Sequence, residues 1–234
     1  MHSTRLRFNY KDCIDDLNII VAEYPSIPQI NEDCEKVSVE GRTGDLYIKK
    51  GTYQDRTLKF KFIQISNDLD VNFDSIYEWL TNIEDNRLYY DREDIHYVVK
   101  RIEIGDLKRE MQKVGSFEVS FICKAFRETD EIVFNYNSKN SSFYNSGKFK
   151  TNPTVMITGS GDIDLTFNDE TFKIKNLEET IIIDSELMSC VDSEGNSLLS
   201  NTYGNFPIIE KGTNTISVSG TVTELKVIYR EMWR

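Results

Sequence analysis

Apolar side chains in this chain recur, stretch after stretch, at every second position. Leu58, Phe60 and Phe62 alternate with Thr57, Lys59 and Lys61, and Phe117, Val119 and Phe121 alternate with Glu118 and Ser120. Ile163, Leu165 and Phe167 are answered by Phe172 and Ile174 across Asn168-Asp169-Glu170, and Leu225, Val227 and Tyr229 repeat the pattern near the end. Successive side chains of a strand point to opposite faces, so a period of two gives each strand one apolar face to bury. Many such runs, separated by Gly, Asn, Asp and Pro, predict a mainly β chain of short strands. At Phe62–Ile63 the alternation slips, which predicts a bulge or a covered second face.

One stretch has the other period. In "NFDSIYEWLTNIEDN", Phe73, Ile76, Tyr77, Leu80 and Ile83 fall on a helical stripe suited to docking on a sheet. Asn72 or Asp74 can cap this helix, and Ser75 with Glu78 has the spacing of a capping box. Trp79 lies off the stripe and is expected to be exposed or to face another element. Upstream, Pro25 and Pro28 mark an extended connector. Gly41 and Gly44 in "GRTGD" mark a turn able to take positive φ.

The Asn- and Ser-rich segment "YNSKNSSFYNSGKFKTNP" changes the style of the chain. A domain boundary is placed just before it, near residue 130. Residues 1–130 then form a β-sandwich-like domain with one α-helix, and residues 131–234 an all-β sandwich, the last few residues being able to return to the first domain. "TGSGDID" reads as a hairpin turn between two strands. It has neither the Lys-Ser/Thr ending of a phosphate loop nor the sixth-position glycine of a calcium loop, where Phe167 stands.

Charge excludes one class of function. With 28 Lys and Arg against 39 Asp and Glu, the net charge is -11 and no basic run exists. Binding nucleic acid by counterion release needs clustered cations. No stretch approaches the ~20 apolar residues of a spanning helix, so no membrane partner is expected. The start, "MHSTRLRFNYKDCIDD", lacks the apolar core of a signal peptide, which predicts assembly in the cytoplasm. The four cysteines, Cys13, Cys34, Cys123 and Cys190, then read as reduced thiols, and the sequon at Asn140 carries no meaning.

Few residues suit catalysis. His2 and His96 are the only histidines, which leaves a zinc site or a Ser/Cys–His triad hard to assemble, and no G-x-S-x-G elbow is present. Asp162 and Asp164 share a strand face and could be offered as a glycosidase pair, but nothing apolar adjoins them to raise one pKa. No catalytic, metal or cofactor site is expected. Tyr89, Tyr90, Phe143, Tyr144, Tyr203 and Phe206 lie in or beside expected loops, where rings can stack on sugars or meet a protein partner. Tyr144 and Tyr203 are the candidate contacts.

Three stretches carry a family resemblance. "VSVEGRTGDLYI" (Val37–Ile48) is similar to a V-x-G-R-x-G-x-L turn. "ITGSGDIDLTFNDETFKIKNLEETIIIDSE" (Ile157–Glu186) is similar to a G-x-G-x-I-x-L strand pair leading to an I-x-I-D-S strand. "GNFPIIEKGTNTISVSG" (Gly204–Gly220) is similar to G-x-F-P-x-L-x-x-G-x-N-x-I-x-x-x-G, and "YREMWR" fits a short basic-aromatic ending. In this order the motifs resemble the distal tail protein family of long non-contractile-tailed bacteriophages. The resemblance implies a non-enzymatic hub at the virion tail tip. The first domain would build a ring, typically a hexamer, between the tail-tube protein and a tail-associated or tail-tip protein. The second, a galectin-like β-sandwich, would hold receptor-binding components. Edge strands and the turn Gly41, Arg42, Thr43, Gly44 and Asp45 are the candidate ring contacts. The alternative is a carbohydrate-binding module that recognises host wall sugars through the second domain. In the third motif, Phe206 and Ile208 would plug the core edge, Pro207 would fix the lead into the turn, Gly212 would permit reversal, and Asn214 would bond local backbone.

Overall fold

The computed structural model describes residues 5–137 and 141–234; His2 and Asn140 lie outside them. The chain divides into two compact units, Met1–Glu128 with Arg234, and Thr129–Trp233. The fold is mainly β with one α-helix among the described residues.

The first unit contains β1 (Leu6–Phe8), β2 (Lys11–Asp12), β3 (Ile19–Val21), β4 (Glu32–Val37), β5 (Leu46–Tyr53), β6 (Arg56–Ile65), α1 (Leu69–Thr81), β7 (Arg87–Tyr90), β8 (His96–Ile104), β9 (Lys108–Met111) and β10 (Val114–Glu128). Its main sheet runs β2-β1-β7-β8-β10-β6-β3, all antiparallel, with β9 on β10. The sheet curls until its inner faces oppose each other. Phe60 of β6 meets Tyr90 of β7 at 5.1 Å, although two strands lie between them, and Phe8 of β1 meets Phe121 of β10 at 5.4 Å. The alternation in β6 does not slip. Its pairing with β10 is continuous from Arg56 to Ile65, and Gln64 takes the inward place after Phe62. The fold accommodates a buried glutamine in the apolar row because its Nε2 donates to the Leu69 carbonyl at 2.9 Å and its Oε1 accepts from Asn72 Nδ2 at 3.3 Å, so both ends of the amide are engaged.

Helix α1 starts earlier than its stripe predicts. Asp68, not Asn72, Asp74 or Ser75, is the N-cap, and its side chain accepts from Val71 N. The apolar face is Leu69, Ile76, Trp79 and Leu80. Trp79 is 2 % exposed and Tyr77 53 % exposed, and Ile83 lies beyond the helix and is exposed, so the expected stripe is corrected on three residues. At 3.6 residues per turn, Tyr77 and Trp79 sit about 80° to either side of a line through Leu69, so periodicity cannot choose between them. The β1 side decides. Trp79 Nε1 donates to the Phe8 carbonyl at 2.7 Å. Next to Phe8, Asn9 sits at φ 47° and its Nδ2 donates to the carbonyls of Trp79 and Asn82, closing the C-terminal end of the helix.

The second unit contains β11 (Ile132–Asn135), β12 (Ser142–Asn145), β13 (Thr154–Phe167), β14 (Glu170–Leu177), β15 (Thr180–Asp184), β16 (Ser189–Val191), β17 (Thr202–Tyr203) and β18 (Gly212–Tyr229). Strands β13 and β18 run beside each other through both layers. Their one half joins β11, β15 and β16, their other half β12, β14 and β17. Val155, Ile157, Ile181 and Ile183 from one layer share a core with Ile163, Leu165, Phe167, Phe172 and Ile174 from the other. "TGSGDID" is therefore not a hairpin turn but the bend inside one strand, with register shifts at Thr158/Gly159 and Ser160/Asp164. Likewise "NTISVSG" and "TELKVIYR" are one strand, bent beside Gly220. A Cβ on Gly159 would lie 2.3 Å from the Thr221 carbonyl oxygen, and one on Gly220, at φ 103°, 2.4 Å from that of Asp162. The two glycines let bent strands pass in contact. In the third motif Pro207, Ile209, Asn214 and Ile216 are buried, while Phe206 and Ile208 are half-buried.

Candidate assembly surface

The hairpin of β4 and β5 stands apart from both larger sheets as a two-stranded sheet of its own. Its turn carries Gly41 (φ 79°) and Gly44 (φ 85°) in the positive-φ region expected of them. Every residue from 38 to 55 is exposed, including Gly41, Arg42, Thr43, Gly44 and Asp45. Leu46 and Ile48 point to one side of the ribbon and Tyr47 to the other, since neighbours along a strand alternate. All three are exposed, as is Val39. Exposed pairs Lys36–Asp45, Lys49–Glu32 and Lys50–Glu35 cross the ribbon. Its root is held by Gln54 N donating to the Asn31 carbonyl and by Tyr53 against Phe126 at 4.8 Å. An isolated two-stranded hairpin is marginal in water, and exposed ion pairs add about 0–1 kcal/mol each. The ribbon thus exposes apolar residues on both faces and has no core of its own beneath them.

Elsewhere the chemistry points away from reactivity. His96 is buried with its ring 5.1 Å from Tyr89. Burial pushes the Cys13 thiol up to about 11 and the Cys123 thiol up to about 12, the reverse of an activated nucleophile. All four cysteines are free, and only Cys34 is exposed. Lys175 Nζ at 2.7 Å and Asn176 N hold the Asp162 carboxyl below the usual range, whereas a general acid needs its pKa raised. Among the described residues no group of three or more His, Cys, Asp and Glu could hold a metal ion.

The loop aromatics are dispersed. Tyr89 and Tyr90 are buried in β7 rather than lying in a loop, because β7 is an inner strand between β1 and β8. Phe143 and Phe206 pack on the second core. Tyr144 (65 % exposed) and Tyr203 (58 % exposed) sit on β12 and β17, at opposite edges of one layer. Four strand spacings separate them, about 19 Å. Neither lines a cleft of about 410 Å³ in the second unit, which is bounded by Lys175, Glu178, Glu179, Asp192 and Glu194 among others. Asn9, which organises the helix end, carried no sequence signal beyond being an Asn before a Tyr.

Residues 15–123 match the family model described as the phage tail protein RIFT-related domain. No curated protein matches the chain in sequence. Among solved structures the chain is similar to the Dit protein of SPP1, with a TM-score of 0.61, 12 % identity, and 99 % of each chain covered. That structure is described as a paradigm of the hub adsorption apparatus in phages infecting Gram-positive bacteria. The chain has a Dit-like fold. Within its first unit, residues 15–123 are similar to the phage tail protein RIFT-related domain, and the resemblance drawn from the three motifs holds at the level of fold.

Proposed function

We propose that this chain is a non-enzymatic structural hub at the distal end of a phage or prophage tail. Copies join head to tail into a ring, a hexamer, between the tail-tube protein and the tail-tip proteins, and the second unit carries receptor-binding components outward. Assembly takes place in the bacterial host cytoplasm. The observation that carries this reading is the β4–β5 ribbon, solvent-exposed over residues 38–55 with Leu46, Tyr47 and Ile48 unburied. The likeness to SPP1 Dit over the whole of both chains supports it. A closed ring uses two different patches per subunit, and a projecting ribbon supplies one of them. Gly41–Asp45 shape its tip.

Electron microscopy of the full chain mixed with its own tail-tube protein tests this. Rings are expected with the wild type and absent with the double change Tyr47→Asp and Ile48→Asp, while the unfolding temperature stays the same because neither side chain belongs to the core. Wild-type protein that forms no ring on tubes overturns the reading.

A further inference from the structure

Helix α1 presents an exposed outward face. Val71, Asp74, Tyr77 and Glu78 lie there, opposite the buried Leu69, Ile76, Trp79 and Leu80. The helix carries Asp70, Asp74 and Glu78 at steps of four residues, and no lysine, arginine or histidine. Like charges at that spacing repel along a helix. Glu78 also stands in the last turn, where the helix dipole disfavours an anion. Arg109 answers Asp70. Asp74 and Glu78 have no ion-pair partner among the described residues. A ridge set against its own electrostatics, with Val71 and Tyr77 unburied beside it, suits a cationic and partly apolar surface from outside the subunit.

The ribbon of β4 and β5 has that chemistry on one of its two faces. Lys36 pairs with Tyr47 and Cys34 with Lys49, so strand parity puts Lys36, Tyr47 and Lys49 on one side. The side chains of Lys36 and Lys49 are 59 % and 74 % exposed, whereas those of their partners Asp45 and Glu32 are 32 % and 28 % exposed. The cations therefore stand outermost, around an exposed aromatic ring. Resting on the ring reading above, we propose that this face of one copy's ribbon docks on the outward face of α1 in the next copy. Tyr47 meets Val71 and Tyr77, and Lys36 and Lys49 meet Asp74 and Glu78. The two surfaces differ, so the contact runs head to tail, as a ring requires, and α1 supplies its second patch.

The full chain is followed by sedimentation and, with its tube protein, by electron microscopy, at low and high salt. One variant reverses the helix, Asp74→Lys with Glu78→Lys, and another the ribbon, Lys36→Glu with Lys49→Glu. Each alone should associate at least ~10-fold more weakly than the wild type, because like charges then meet. An equimolar mixture of the two should associate again, since each helix faces a ribbon of opposite sign, and high salt should weaken that recovery. Lys59→Glu with Lys61→Glu, on the exposed side of β6, changes the net charge equally and should neither abolish association nor restore the helix variant. Association that survives either reversal, or a mixture that stays apart, overturns the proposal and leaves the ring standing. Self-association kept by the helix variant while tube binding is lost assigns α1 to the tube protein and also overturns it. Wild-type protein that associates neither alone nor on tubes overturns both readings. Should the reversed helix not fold, Asp74→Asn with Glu78→Gln decides: unchanged association overturns the proposal, and association weakened more at low salt than at high salt supports it.

Discussion

Asn214 is fully buried, and all its side-chain polar groups are bonded. Its Nδ2 donates to the carbonyls of Glu210 and Gly212, and its Oδ1 accepts from Glu210 N and from Asn168 Nδ2. One amide thus ties the turn before β18 to the turn between β13 and β14. Asn214→Ala leaves buried partners unmet, so it is expected to lower stability by about 2–4 kcal/mol, measured as a fall in the urea midpoint. Trp79 poses the same question at a helix. Trp79→Phe keeps the ring against Phe8 but abandons the Phe8 carbonyl, and about 1–3 kcal/mol should be lost. A change of under ~0.5 kcal/mol would mean that this bond does not hold the helix to β1.

At the scale of elements, the bends in β13 and β18 are what make two layers out of shared strands. Gly159 lies so close to the Thr221 backbone that any Cβ forces the strands apart. Gly159→Ala and Gly220→Ala are each expected to cost more than about 1 kcal/mol, the second also because Ala disfavours positive φ. Gly41→Ala and Gly44→Ala meet nothing within 4 Å and carry only the cost of positive φ, so they should disturb the fold less. Thermal unfolding of the four variants side by side separates packing from backbone strain. Helix α1 shows how local signals mislead. Ser75 and Glu78 have the spacing of a capping box, yet Ser75 Oγ donates back to the Val71 carbonyl within the helix, because Asp68 already starts it.

At the scale of the molecule, burial of acidic groups sets the response to alkali. The Cys13 thiol is pushed up to about 11, and Cys123 and the Tyr90 phenol up to about 12, each first by desolvation. A raised acid stays protonated in the folded state, so its contribution is complete below the ordinary thiol value and is lost as pH climbs through the folded value. All three lie in the first unit, which should weaken between about pH 9 and pH 12, and denaturant midpoints at a series of pH values check this. A thiol reagent at neutral pH should label Cys34 rapidly and the other three only on unfolding. The sequence by itself determined the β class and which faces of β6, β10, β13 and β14 are buried, because a period of two is a local property that hydrophobic burial reads directly. It also determined the positive-φ turn at Gly41 and Gly44, which only glycine takes cheaply. The tertiary structure alone decided that Trp79 rather than Tyr77 is buried, that "TGSGDID" bends a strand instead of ending it, and that Arg56 is enclosed beside Tyr97. In each case the deciding atom belongs to a residue distant along the chain — the Phe8 carbonyl, the Thr221 carbonyl, the Tyr97 ring — and no local pattern encodes where such an atom will stand.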